Sequence, residues 1–109
     1  MSTATAAATA STVAVRPSFK TKYNHYINGE WVAPDSGEYF DNVSPIDGKP
    51  FTQAARGNAK DIDKAIDAAQ EAFKTWSKTA AAYRSNILLK IADVVEQNLG
   101  YLAAVETID

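Results

Sequence analysis

The residues able to do chemistry are few. The chain has 109 residues, with His25 as its one histidine and no cysteine, so disulfides, thiolate metal sites and a cysteine nucleophile are excluded within it. His25 lies in a predicted strand and has no carboxylate close to it in sequence. A general base is one interpretation of this histidine, but a half-exposed strand residue is the favoured one. The residues taken alone assign no catalytic group.

Carboxylates and glycines give no site either. Asp61, Asp63, Asp67 and Glu71 alternate with lysines, which predicts a solvated, salt-bridged helix face rather than an acid–base pair. The glycines never form a G-x-G-x-x-G or P-loop pattern, so no phosphate-binding loop is encoded. The net charge of -2 argues against a nucleic-acid partner. No apolar run approaches the roughly 18 residues of a membrane span, which argues against a membrane partner.

The strongest structural signal is a helix from Asn58 to Trp76. Asn58 can act as its N-cap, and Asp61 stands in its first turn. After a short break, Thr79 can cap a second amphipathic helix that runs to about Gln97. The short loop predicts that these helices lie antiparallel with their apolar faces together. The apolar residues of the first helix recur three and four apart, which predicts one wide buried face: Ile62, Ala65, Ile66, Ala69, Ala72, Phe73 and Trp76.

A third helix is predicted from Leu99 to Asp109, with Asn98 as its cap. It has no glycine or asparagine after its last periodic residue and no basic last turn, so the usual stop signals are missing. Three amphipathic helices also present more apolar surface than a body of this size covers. The sequence is therefore expected to be part of something larger.

The front half of the chain carries strand and turn signals. Asn28-Gly29 between aromatic and β-branched residues predicts a hairpin, because both central residues of a type I′ turn need positive φ. Further strands are predicted at 38–43 and 50–56, around a turn at 44–48. Residues 1–22 are rich in Ala, Ser and Thr and predict a disordered or weakly ordered tail. A mitochondrial transit peptide is the alternative for this segment.

Four landmarks between Tyr26 and Asp109 resemble the N-terminal part of the NAD(P)-dependent aldehyde dehydrogenases. They are YINGEW at 26–31, VSPIDG at 43–48, DIDKAIDAA at 61–69 with Phe73 and Trp76, and RSNILLKIAD at 84–93. The end of the chain, LAAVETID at 102–109, is similar to the family segment that follows. The amino-acid sequences of the helices most resemble those of bacterial enzymes acting on acetaldehyde and similar short aliphatic aldehydes.

The resemblance implies an α/β fold, in which residues 23–109 are the N-terminal part of a doubly wound cofactor-binding domain, with β-hairpins followed by about three helices. It also implies a cytoplasmic oxidoreductase, a homodimer or homotetramer, that uses NAD or NADP to oxidise an aldehyde. The family's nucleophilic cysteine, general-base glutamate and cofactor-contacting residues have no counterpart in this chain. We therefore expect no catalytic or cofactor-binding residue here, and the remainder of the dehydrogenase chain as the partner.

One minor site of the family does correspond to positions in this chain. Some members bind a monovalent cation through main-chain carbonyls before the Pro-containing turn and through the acid that ends the third helix. Those positions would be Asn42, Val43 and Asp109 here, and oxygen ligands suit a hard cation. The alternative is a pair of turn residues and an acid without a bound ion. For the chain as a whole, the alternative to a dehydrogenase segment is a non-catalytic interaction or structural module derived from it.

Overall fold

Asn28 and Gly29 form the turn of a tight hairpin. The computed structural model describes residues 16–109. Within them, β2 (His25–Ile27) and β3 (Glu30–Val32) pair antiparallel. The two turn residues have φ values of 53° and 77°, the positive values that a type I′ turn requires. The predicted hairpin is confirmed.

A second hairpin joins β4 (Tyr39–Val43) to β5 (Pro50–Ala55). Its turn is closed by backbone bonds from Ser44 N–H to the Lys49 carbonyl (3.0 Å) and from Gly48 N–H to the Ser44 carbonyl (2.9 Å). The register shifts between Asn42 and Val43, which marks a bulge at the end of β4. Both strands lie where the turn residues between them predicted.

A short first strand, β1 (Lys22–Tyr23), pairs in parallel with β5, so the sheet order is β1-β5-β4. The predicted tail of residues 1–22 falls mostly on residues 1–15, which lie outside the described residues. Its last part is attached to the sheet, since the Phe19 ring packs edge-on against Phe51 with 4.9 Å between centroids. The described chain therefore joins the fold earlier than the predicted boundary after residue 22.

The first helix, α1 (Ala59–Trp76), begins with a capping box. The Asn58 side chain accepts a bond from the Asp61 backbone N–H (3.1 Å), and the Asp61 carboxylate accepts one from the Asn58 N–H (3.0 Å). Two of the N–H groups that a helix start leaves unpaired are thereby satisfied. The predicted N-cap is confirmed, and the reciprocal bond from Asp61 strengthens it.

The caps predicted for the next two helices are wrong. α2 (Ala81–Gln97) starts after Ala80, and the Thr79 hydroxyl instead donates to the Trp76 carbonyl at 2.7 Å, so it closes the end of α1. α3 (Leu99–Ile108) follows Asn98 as predicted, but the Asn98 amide donates to the Val94 carbonyl at 2.8 Å. Each polar side chain satisfies a carbonyl at the end of the preceding helix, which competes with capping the following one.

The helices do not pack face to face, so the predicted antiparallel pairing of α1 and α2 is wrong. Phe73 on α1 is 66% exposed and Leu88 on α2 is 67% exposed. Near the connecting loop, the rings of Trp76 and Tyr83 meet at 6.2 Å between centroids. The radius of gyration of 19.0 Å exceeds the roughly 13 Å of a compact domain of about 100 residues. A short loop limits how far two helices can separate but does not set their angle, and these faces remain uncovered.

Burial is correspondingly sparse. Among residues 16–109, the buried residues are Pro17, Pro34, Ser44, Asp61 and Ile108. No helix in this part of the chain is long and apolar enough to cross a membrane. The strands followed by three helices give an α/β arrangement, as predicted, whose stability rests on turns, caps and local contacts more than on a core.

Candidate functional site

Two of the three residues predicted to bind a cation, Asn42 and Asp109, are in contact. Asn42 at the end of β4 donates its side-chain amide N–H to the Asp109 carboxylate at 2.6 Å, across 67 positions of sequence. Val43 is the next residue and lies at the bulge opposite Pro50. Because proline has no N–H, Pro50 cannot donate a ladder hydrogen bond to the Val43 carbonyl. The structure thus brings the Asp109 carboxylate to the Asn42 amide, with Val43 next in the chain.

The C-terminal end of α3 makes the electrostatic potential around Asp109 more negative. Asp109 is the C-cap of α3, and its backbone N–H donates to the Val105 carbonyl at 3.0 Å. The C-terminus of a helix carries a partial negative charge, which adds to that of the carboxylate and favours a cation. Among the described residues there is no group of three or more His, Cys, Asp or Glu side chains placed to hold a metal ion. A cation bound here would need oxygen ligands besides the Asp109 carboxylate.

A second polar cluster centres on Asp61 and corrects the sequence interpretation. Asp61 was predicted on the solvated face of α1, but it is only 3% exposed. Its carboxylate accepts backbone N–H bonds from Asn58 (3.0 Å) and from Asp35 (3.0 Å). Helix periodicity alone places Asp61 on the outer face. The loop that covers it, at Asp35, is distant in sequence, so periodicity gives no sign of that burial. Of the other acids in the predicted face, Asp63, Asp67 and Glu71 are exposed as expected.

The environment of Asp61 favours its charged form. The hydrogen bond from the Asn58 backbone N–H lowers the pKa of this carboxyl below its ordinary value of 3.8, burial opposes that shift, and the Asp35 N–H and the charges of His25 and Lys64 lower the pKa further. Backbone donors aimed at a carboxylate stabilise the anion directly. Asp61 is thus held as an ionised acceptor.

His25 gains the carboxylate partner that sequence reasoning missed. Its side chain is 22% exposed, and its Nε2 lies 3.6 Å from the Asp61 carboxylate, a separation too long for a normal hydrogen bond. The Nε2 atom is buried and has no hydrogen-bond partner. Gly57 lies beside the ring, where a Cβ would be 3.4 Å from the imidazole Cε1, an ordinary van der Waals distance. His25 lies in strand β2 and is partly exposed, as predicted. Its partner Asp61 is distant in sequence, so no local pattern indicated the contact.

The Asp61 cluster orders three segments rather than performing a reaction. It links β2 through His25, the loop after β3 through Asp35, and the start of α1 through Asn58. The Asn58 amide also donates to the Asp35 carboxylate at 3.0 Å. The hydrogen bonds to Asp35 and the approach of His25 to Asp61 hold the first hairpin near the start of α1.

Comparison with known proteins identifies the family. The family model described as aldehyde dehydrogenase family matches residues 31–109. The chain belongs to the aldehyde dehydrogenase family. The resemblance inferred from the four landmarks is thereby confirmed, including its place at the N-terminal part of the bacterial relatives.

Aldehyde dehydrogenase relatives match most of the chain but a small part of their own length. A long-chain-aldehyde dehydrogenase of an Acinetobacter species is 55% identical over 84% of this chain and 18% of that protein. The acetaldehyde dehydrogenase of Pseudomonas aeruginosa is 54% identical over the same shares. The crystal structure of PnpE in complex with nicotinamide adenine dinucleotide is 41% identical, with a TM-score of 0.77 over 79% of this chain and 18% of that one. The chain spans about a fifth of the length of the relatives it matches.

Proposed function

We propose that this chain is the N-terminal segment of an NAD(P)-dependent aldehyde dehydrogenase, which oxidises an aldehyde to the carboxylic acid and in which this segment is not catalytic by itself. The observation that carries the proposal is the family match over residues 31–109. The matched stretch corresponds to 18% of the relatives' length. The rest of such an enzyme would supply the nucleophilic cysteine, the general base and the cofactor contacts that the resemblance implies.

The uncovered helix faces support the same proposal. The side chains of Phe73 and Leu88 are mostly exposed to water. Full burial of each would contribute roughly 1.5–3 kcal/mol of stability. α3 is apolar on more than one side, with Ile108 buried but Leu99 and Leu102 exposed. A helix of this kind suits the interior of a larger body. In the proposed enzyme, the doubly wound cofactor-binding domain covers these faces.

The role of this segment would be to position its helices and to pack against the rest of the cofactor-binding domain. The Asp61 cluster holds the first hairpin against α1, and the contact between Asn42 and Asp109 ties the end of α3 to β4. These two contacts would help to position the helices on which the rest of the cofactor-binding domain packs. When NAD or NADP is bound, it accepts a hydride from the substrate.

For the substrate, we propose acetaldehyde or another short aliphatic aldehyde. The amino-acid sequences of the helices support this substrate class, as does the relative named acetaldehyde dehydrogenase. The relative named long-chain-aldehyde dehydrogenase is equally similar, so a series of aldehydes of increasing chain length is the discriminating assay. The proposed enzyme is a cytoplasmic homodimer or homotetramer.

The experiment that tests the segment proposal is the mass of the native polypeptide. An antibody raised against the exposed α1 face between Lys60 and Glu71 is used on an extract of the source cells. We expect a band several times heavier than the 11.7 kDa of this chain, and aldehyde-dependent reduction of NAD or NADP in the immunoprecipitate.

A band at 11.7 kDa with no such activity would contradict the segment proposal. That outcome would favour the interaction module, because the same exposed apolar faces would then have to dock on a separate protein. The exposure of Phe73 and Leu88 is the observation that favours this second candidate.

We also propose that the Asn42, Val43 and Asp109 oxygens bind a monovalent cation. The contact between Asn42 and Asp109 and the missing donor at Pro50 support it. Thermal unfolding is compared in potassium, sodium and choline chloride at equal ionic strength. Asp109→Asn should abolish any stabilisation by the small cations, whereas Asp93→Asn on the exposed side of α2 removes the same charge and should retain it. An equal response of both variants would contradict the site.

A further inference from the structure

β5 is the central strand of the sheet, and its two edges are covered to different extents. One edge pairs with β4 from Val43 to Tyr39, whereas the other pairs, within residues 16–109, with Lys22 and Tyr23 alone. An uncovered strand edge presents backbone donors and acceptors that another chain can pair with. The edge of β5 that faces β1 is therefore the one more open to pairing with another chain.

Residues 19–23, here called the strap, hold this edge through the backbone. The Gln53 N–H donates to the Thr21 carbonyl at 3.1 Å, on the side of β5 that faces the strap. The Thr52 hydroxyl donates to the Lys20 carbonyl at 2.7 Å. Two carbonyls of the strap are thus occupied by donors of β5.

Side chains of the strap hold both strands of the second hairpin. The Phe19 ring packs edge-on against Phe51 at 4.9 Å and 65°. The Lys22 ammonium reaches across β5 and lies 4.4 Å from the centroid of the Tyr39 ring on β4. Such cation–π contacts stabilise by roughly 0.5–1 kcal/mol when exposed. The strap is attached over more of the sheet than its two paired residues indicate.

The composition of the strap also suits an edge. Lys20 and Lys22 are both exposed, and Pro17 precedes the strap in a buried position. Lysine and proline are residue types with which proteins discourage pairing at a strand edge. The other edge of the sheet, β4, is interrupted by the bulge at Asn42 and Val43, which is a second such feature.

We propose that the strap is an edge guard, which occupies the outer edge of β5 and prevents that edge from pairing with β5 of a second copy of this chain. Release of the strap opens a row of backbone groups in β5. This role belongs to the described chain itself and is independent of the proposed dehydrogenase function.

The first test measures whether the strap is separable from the sheet. In the full chain, Phe19→Ala with Thr52→Val removes two of its attachments and leaves the pairing of β4 with β5 intact. We expect hydrogen exchange at the Gln53 N–H to accelerate roughly tenfold or more. Exchange at the Arg56 N–H, which donates to the Glu38 carbonyl on the β4 side, should not change. Equal acceleration at both amides, or no change at Gln53, would overturn the proposal.

The second test detects the pairing of copies. Because the chain has no cysteine, Gln53→Cys places a single thiol in β5, and a short bismaleimide joins two copies whose β5 strands pair. Crosslinked dimer should increase several-fold when the strap variant is combined with Gln53→Cys. Lys49→Cys, in the turn before β5, is the matched control for association through the helix faces. An equal increase at both thiols, or none at Gln53→Cys, would refute the edge guard.

Discussion

Replacing Asn58 by alanine tests the architecture of this segment most directly. Asn58→Ala removes the side-chain oxygen that accepts the Asp61 N–H at 3.1 Å and the amide that donates to Asp35 at 3.0 Å. It keeps the backbone N–H that donates to the Asp61 carboxylate. The substitution therefore removes half of the capping box and one link to the loop.

The expected loss follows from these two contacts. Loss of an N-cap side chain costs about 1 kcal/mol of stability. The bond to Asp35 is exposed, so we place its contribution at about 0.5 kcal/mol, the low end for a hydrogen bond. The sum of about 1.5 kcal/mol lowers the ratio of folded to unfolded chain roughly tenfold.

The assay is urea unfolding of the 109-residue chain in trimethylamine N-oxide, which favours the folded state by its exclusion from the protein surface. Fluorescence of Trp31 and Trp76 and far-UV circular dichroism report on the hairpin and the helices. Asn58→Ser is the control, because serine also caps helices but lacks the amide that reaches Asp35. It should lose only about 0.5 kcal/mol.

Two results would refute this reasoning. If Asn58→Ala cost less than about 0.5 kcal/mol, the range of an ordinary surface substitution, the capping box would not stabilise the chain. If Asn58→Ser were as damaging as Asn58→Ala, the link to Asp35 would outweigh the cap.

Three further predictions concern the carboxylate, the helix faces and the chemistry. Because the folded-state pKa of Asp61 is lowered, its contribution to stability is present above its ordinary pKa of 3.8 and is lost as pH falls through the lower folded value. Acid unfolding of Asp61→Asn should lack that part of the pH dependence, and an unchanged profile would contradict the assignment. The isolated chain should self-associate as concentration rises, and Phe73→Ser with Leu88→Ser should reduce this in sedimentation velocity, since both side chains are exposed. A monodisperse wild-type chain would contradict this expectation. The purified chain should also form no NADH or NADPH from any aldehyde, because it has no cysteine. Turnover that persists after repurification would overturn that view.

Local patterns predicted the elements well. The Asn28-Gly29 turn, the second hairpin and all three helices lie where the sequence placed them. Each depends on contacts within a few residues, such as positive φ at a turn or apolar spacing along a helix. The family resemblance was also readable, because its landmarks occur in order along the chain, and the match over residues 31–109 confirms it.

Patterns that depend on distant neighbours were read less well. The sequence predicts Thr79 and Asn98 as N-caps, yet the side chains of both donate to carbonyls of the preceding helix. A hydroxyl or amide between two helices can satisfy either end, and its sequence position is the same in both cases. Local sequence could not decide between them.

The sequence by itself determined which stretches become strands, turns and helices, and which family they come from. Only the tertiary structure decided that Asp61 is buried beneath the loop at Asp35, that β1 joins β5 in parallel, and that α1 and α2 keep their apolar faces apart. The physical reason is the distance in sequence over which each kind of interaction acts. Helix period and turn chemistry act over a few residues, whereas burial and strand pairing depend on which distant segment arrives at the same place.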